Sequence, residues 1–281
     1  MALALVSLVC ALSVGSGARA EEPWKASGDG YRFGVFPYLP VLTIDRIFGP
    51  MAAAFAAAFN RPVHLKTKPT FEQFVVELRR ETYDVVFVHP FLYVDAADRS
   101  GYLPLARLAG GLTAVVLVHS DRPWHAWSDL AGKILAAPPR LAAVSEMARI
   151  ALLDAGLIPG IDTILAHYRT KASCLHAVSI GAAHACVLPR FVLAQIPEIT
   201  HGRFRVMAEI GPIQQLVFAA HPRVPEADRA KLQALITSWS ETAPGRGILA
   251  AGSWTGFVVA RDADYDEVRL QTSRLEQLAQ R

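Results

Sequence analysis

Cysteine is scarce in this chain, three residues in 281, and charge is thin, with Asp, Glu, Lys and Arg making up 19% of the residues. The 28 basic residues are nearly matched by 25 acidic ones. Such a balance lacks the one-sided positive field of a nucleic-acid binder. After the first twenty residues no stretch reads as apolar for long enough to cross a bilayer, which predicts a soluble body beyond that point. Low-complexity tracts and internal repeats are missing. So are a Gly-x-Ser-x-Gly elbow, a His-Glu-x-x-His pair and a Gly-x4-Gly-Lys-Ser/Thr phosphate loop. His64, His125, His167 and His201 are scattered without metal-ligand spacing, and Asp262-Ala263-Asp264 lacks the spacing of a calcium loop. Trp239 and Trp254 read as core. These absences argue against an enzyme and predict neither metal nor cofactor.

What is present begins at the N-terminus. Ala2 to Val14 is an apolar run broken only by Ser7, Cys10 and Ser13, and Ala18-Arg19-Ala20 precedes an abrupt change to Glu21-Glu22-Pro23. A short apolar core followed by a small-x-small triplet predicts a signal peptide over residues 1–20 and export to the periplasm. No Lys or Arg precedes the run; a buried N-terminal helix is the alternative. A lipoprotein anchor at Cys10 is rejected, because Val9 stands where a small residue is required. Beyond residue 20 only Cys174 and Cys186 remain, an even count in an oxidising compartment. They pair as a disulfide or stay as two buried thiols.

Period reading alternates short apolar runs with longer amphipathic ones. Tyr31–Phe36, Pro62–Lys66 and Tyr83–Val88 read as strands, with helices over Asp45–Phe59 and Thr70–Arg80 between them. That β-α-β-α-β order implies a parallel sheet with right-handed crossovers. Leu112–His119 is a further strand, and the pattern then restarts: strands over Lys133–Ala137, Thr163–Tyr168 and Ala185–Leu188, helices over Ala143–Ala155 and Ser173–Ser179. Strands over Arg205–Glu209 and Gln215–Ala220 and helices over Glu226–Ser240 and Thr242–Ala251 complete the reading. The fold class is α/β: two lobes, each a mostly parallel sheet flanked by helices, with two chain crossings near Val116–Ser120 and Phe218–His221. Lobe 1 spans residues 30–117 and 219–281, and lobe 2 is inserted as residues 118–218. Ligands of such sheets sit beyond the carboxyl ends of the strands, which directs attention to Pro37–Pro40, His89–Tyr93, Pro138–Ser145, Thr170–Ser173 and Pro189.

Four elements carry a family resemblance. They are Arg32-Phe33-Gly34-Val35-Phe36-Pro37-Tyr38-Leu39-Pro40; Tyr83–Tyr93 followed by Gly101–Ala106; Leu130-Ala131-Gly132-Lys133 leading to Ala136-Ala137-Pro138; and Ser173–Val178 with Gly181 and His184–Val187. In order and spacing the chain resembles the phosphate/phosphite/phosphonate periplasmic binding proteins of ABC importers, the PhnD-like group with the type II periplasmic-binding fold, over roughly residues 31–265. The resemblance implies a solute-binding protein that closes on a small oxyanion between its lobes and delivers it to a membrane permease.

It also implies where the anion sits. In the family a Ser/Thr-rich loop opens the first helix of the second lobe; here the matching stretch is Pro138-Pro139-Arg140-Leu141-Ala142-Ala143-Val144-Ser145. Amides of Ala143, Val144 and Ser145 at a helix start suit an oxyanion. The two prolines donate no N–H, however, and only Ser145 keeps a hydroxyl. Arg140 either replaces lost donors with its guanidinium or points into solvent. Tyr93 matches the family's tyrosine after the third strand, its alternative being packing on its own helix. Tyr38 sits on a loop stiffened by Pro37 and Pro40. His89 faces the cleft or serves as a capping histidine. Lys171 turns inward or is surface, and Ala172 removes the acidic residue that would meet an aminophosphonate. The expected protein is a monomer. A sensory protein presenting the same clamshell to a membrane histidine kinase is the alternative, and acid–base chemistry by His89, Lys171 and the tyrosines is a third reading.

Overall fold

Three runs of four or five residues, too short to bury themselves as helices, become neighbouring parallel strands: β1 (Tyr31–Val35), β2 (Val63–Lys66) and β3 (Val85–Val88). The computed structural model describes residues 30–196 and 202–279; the expected signal peptide lies outside them. Between the strands run α1 (Val41–Phe59) and α2 (Phe71–Arg79), the latter started by the Thr70 hydroxyl accepting from the Gln73 amide at 3.2 Å. Then α3 (Pro90–Ser100) leads to β4 (Leu103–Leu108). The second lobe holds β5 (Gly111–His119), β6 (Ile134–Ala137), α4 (Ala143–Asp154), β7 (Ile164–His167), α5 (Lys171–Ser179), β8 (Ala185–Pro189) and β9 (Phe204–Gln214). The chain returns as β10 (Val217–Ala220), α6 (Glu226–Thr237), α7 (Ala243–Gly252), β11 (Phe257–Val259) and α8 (Asp266–Ala279).

The six-stranded sheet has the order β11-β4-β10-β3-β1-β2 and the five-stranded one β7-β6-β8-β5-β9. Each is mixed rather than mostly parallel. β2-β1-β3 and β7-β6-β8 are the parallel cores. β10, β11, β5 and β9 join antiparallel. The strand pairing also moves the crossings. Gly111–His119 pairs throughout with β9 in the second sheet, so the chain crosses at Ala109–Gly110 and returns at Gln215–Leu216. The hydrophobic pattern of Leu112–His119 is alike for either sheet, so period alone does not assign its lobe.

Alternation along the second sheet sorts its two faces. Ala114, Val116 and Val118 join the main core with α4, while Val115 and Leu117 face α5 in a smaller core with Cys174 and Cys186. The two cysteines are joined in a disulfide with Cα atoms 5.9 Å apart, tying α5 to β8. In the first lobe the core is aromatic: Phe87 lies 4.6 Å from Phe218 and Phe33 5.2 Å from Phe55, ring to ring. α1 is a 19-residue helix long and apolar enough to span a membrane, contrary to the sequence reading. Its apolar side (Ile44, Phe48, Met51 and Phe55) is instead buried in this core.

The C-terminal helix was not foreseen. Arg269 near its start pairs with Asp98 of α3 at 2.9 Å, and Arg274 further along pairs with Asp154 at the end of α4 at 2.5 Å. α8 thus touches both lobes beside the two crossings.

Candidate ligand site between the lobes

β1, β3 and β6 all end toward the other lobe, and three loops meet there. His89 follows β3. The proline after it holds it extended, at φ −83° and ψ 163°, so that it ends the strand and caps α3. Its Nδ1 accepts the Leu92 amide at 3.4 Å, and its Nε2–H donates to the Leu141 carbonyl of the second lobe at 2.9 Å. Two fixed partners select one neutral tautomer. Burial pushes the imidazole pKa down to about 4, with the Leu141 contact opposing that in part. His89 is therefore an uncharged bridge between lobes.

Tyr38 lies beside it. Its ring stacks on Phe36 at 4.5 Å, and Phe36 meets the His89 ring edge-on at 5.4 Å. Burial raises the phenol pKa, so the group stays an O–H donor. That hydroxyl has no hydrogen-bond partner among the described residues.

Across the contact, α4 opens without a side-chain cap, because Ala142 occupies the N-cap position. The Ser145 and Glu146 amides bond back to the Ala142 carbonyl at 2.9 and 3.2 Å, whereas the Ala143 and Val144 amides find no acceptor among the described residues. The loop before them is pinned at one atom: the Pro138 carbonyl accepts from Ser145 Oγ at 3.0 Å and from His167 Nδ1 at 2.7 Å. Glu146, one residue on, is held by Arg149 at 2.8 Å, and burial pushes its carboxyl up.

The structure thus joins His89 to Leu141 at the turn before α4, and Tyr38 stacks on Phe36, which packs against the His89 ring. It directs other expected residues elsewhere. Tyr93 is buried; its hydroxyl donates to Asp262 at 2.5 Å and its ring packs on Tyr265 at 4.5 Å. One helical turn past His89 its side chain follows α3 toward the C-terminal segment, so it packs rather than lines the contact. Ser145 spends its hydroxyl on Pro138, so only its loop-fixing role remains. Arg140 is exposed, and so is Lys171 at the first position of α5. Phe36, Leu141, Glu146 and His167 were not foreseen. A backbone carbonyl leaves no mark in a sequence, and an apolar wall looks like core. Among the described residues no group of three or more His, Cys, Asp or Glu is arranged to hold a metal ion.

A family model described as the phosphonate periplasmic substrate-binding protein of ABC transporters matches residues 33–265. The chain belongs to this family. It is accordingly the periplasmic solute-binding component of an ABC importer, with a small-molecule ligand and a membrane permease as partners, and it is not an enzyme. Solved structures share its fold. A binding component of an ABC phosphonate transporter from Pseudomonas aeruginosa superposes with a TM-score of 0.73 at 12% identity, covering 89% of this chain and 87% of that one. PhnD1 from Prochlorococcus marinus, in complex with methylphosphonate, gives 0.75 at 12% identity over 89% and 99%. A Xanthomonas citri protein bound to ATP gives 0.77 at 15% identity over 90% and 98%. No curated protein matches the sequence. In this chain Pro138-Pro139 and the uncapped Ala142 leave main-chain amides, and no side-chain cap, at the start of α4.

Proposed function

We propose that this binding protein captures a small tetrahedral oxyanion of the phosphonate or phosphate class at the meeting point of the lobes. The observation that carries the reading is the bare start of α4. The Ala143 and Val144 amides and the positive end of the helix lack an acceptor, and they lie one turn from where His89 of the other lobe touches Leu141. An anion supplies what a capping side chain otherwise would. Tyr38 adds a neutral O–H donor from the first lobe, giving contacts from both sides, which closure requires. The relatives solved with methylphosphonate and with ATP each hold a phosphorus oxyanion, which supports the class. Ala172, in place of an acidic residue, disfavours aminoalkyl ligands at that position.

Isothermal titration with phosphate, phosphite, methylphosphonate and sulfate tests this. Binding of at least one phosphorus oxyanion is expected, and no heat with any of the four overturns the ligand class while leaving the family untouched. The protein acts as a monomer docking on its permease. A histidine kinase would read the same outer faces, but no feature of the described residues favours it.

A further inference from the structure

A cavity of about 320 Å³ lies where the two crossings meet the C-terminal helix. Gly110–Gly111 of the first crossing, Pro212–Gln214 at the end of β9, and Arg107, Asp264 and Glu267 line it. None of these belongs to the Tyr38–His89–Leu141 contact. Its volume falls in the lower part of the range of small-molecule pockets, which favour such interdomain positions.

The polar groups around it are incompletely partnered. Arg107 Nε is buried without a hydrogen-bond partner among the described residues, and so are the Tyr265 hydroxyl and Gln271 Oε1. The Asp264 carboxylate stands 3.7 Å from Arg107 Nε, an ion pair too long to be a hydrogen bond. Tyr265 is fully buried and feels both Arg107 and Asp264. Gln271 sits one helical turn beyond Glu267, to which its amide donates at 3.3 Å. Buried polar atoms without partners are rare in folded proteins. One of them, Arg107 Nε, belongs to a residue that lines the cavity beside Asp264 and Glu267, and it marks a place for a polar occupant.

We propose that this hinge cavity is a second ligand site, for a small zwitterion carrying one carboxylate and one ammonium group, as a free amino acid does. The Arg107 guanidinium offers its fork to the carboxylate. Asp264 and Glu267 offer acceptors to the ammonium, and Gln214 adds an amide. A simple anion would face two carboxylates, and a simple cation would face the guanidinium, so only a molecule with both charges satisfies the set. Because the occupant touches the first crossing, the end of β9 just before the second, and α8, it biases the motion of one lobe against the other. Each ligand then changes the affinity of the other by the same factor.

Titration calorimetry and thermal melting of the full chain with millimolar glycine and β-alanine test the proposal, with acetate and ethylamine as controls. A saturable rise in Tm is expected with a zwitterion and with neither control. Binding should weaken about tenfold or more in Glu267→Gln, which keeps shape but loses charge, and in Arg107→Lys, which keeps charge but loses the fork. Glu267→Gln should leave the affinity for the cleft anion unchanged when no zwitterion is present. The proposal is overturned if neither zwitterion binds, if acetate or ethylamine binds as well, or if both variants bind like the parent. These outcomes do not depend on which anion the cleft takes.

Discussion

Two tyrosines with the same sequence promise have opposite fates. Tyr38 keeps a hydroxyl with no protein partner among the described residues, whereas Tyr93 gives its own to Asp262. Tyr38→Phe should therefore weaken anion binding by about ten- to a hundredfold, the worth of a hydrogen bond to a charged group, with little change in Tm. Tyr93→Phe should do the reverse, costing about 1 kcal/mol of stability and leaving affinity intact. Calorimetry and melting curves on both variants separate the roles; equal affinity losses would return Tyr93 to the site. His89 carries a pH signature. Its folded pKa, about 4, lies below the ordinary 6.5, so the unfolded chain binds the proton more readily. The stability it contributes is complete above about pH 6.5 and is lost as pH falls toward about 4, to a total of about 3 kcal/mol. His89→Asn, able to cap α3 but unable to titrate, should show a shallower loss across that window in urea titrations. Identical slopes would remove His89 from the account.

At the scale of elements, α4 couples stability and binding in opposite senses. Its N-terminus leaves the Ala143 and Val144 amides bare where a capping residue would satisfy them. Ala142→Asp should add about 1 kcal/mol to the protein through the cap and the helix dipole. The new carboxylate takes the amides meant for the ligand, so anion affinity should fall by about tenfold or more. A more stable variant with unchanged affinity would show that the anion is held elsewhere. α5 is the contrasting element: its Thr170 cap is filled by the Ser173 amide at 3.0 Å, which leaves Lys171 on the surface. The capped helix lies against one face of the second sheet and the uncapped one against the other.

For the whole molecule, that division of faces separates fold from function. The disulfide between Cys174 and Cys186 staples the α5 face, opposite α4. Replacing both cysteines by alanine should lower stability by about 2–4 kcal/mol, on the loop-entropy scale for so short a loop, while the anion binds as before. Denaturant melts with and without reductant measure it; a matching loss of binding would mean that the two faces are coupled. Larger motion falls to the crossings. The Leu108 amide donates to the Leu216 carbonyl at 2.9 Å, so the two connectors move together.

By itself the sequence determined the α/β class, most of the strands and helices through residue 251 apart from α3 and β4, and the loops to search. Short apolar runs and helical spacing are local signals, and capping residues such as Thr70 announce themselves. It named His89 and the loop before α4, which the structure joins through the Leu141 carbonyl. Only the tertiary structure decided which lobe claims Leu112–His119, since either sheet buries that run equally well. It also turned Tyr93 toward Asp262, 169 residues away in the chain, and gave the Leu141 carbonyl to His89. Partners so distant, and main-chain atoms common to every residue, leave no trace in composition or period; they are fixed when the lobes pack and each buried polar group must find a partner.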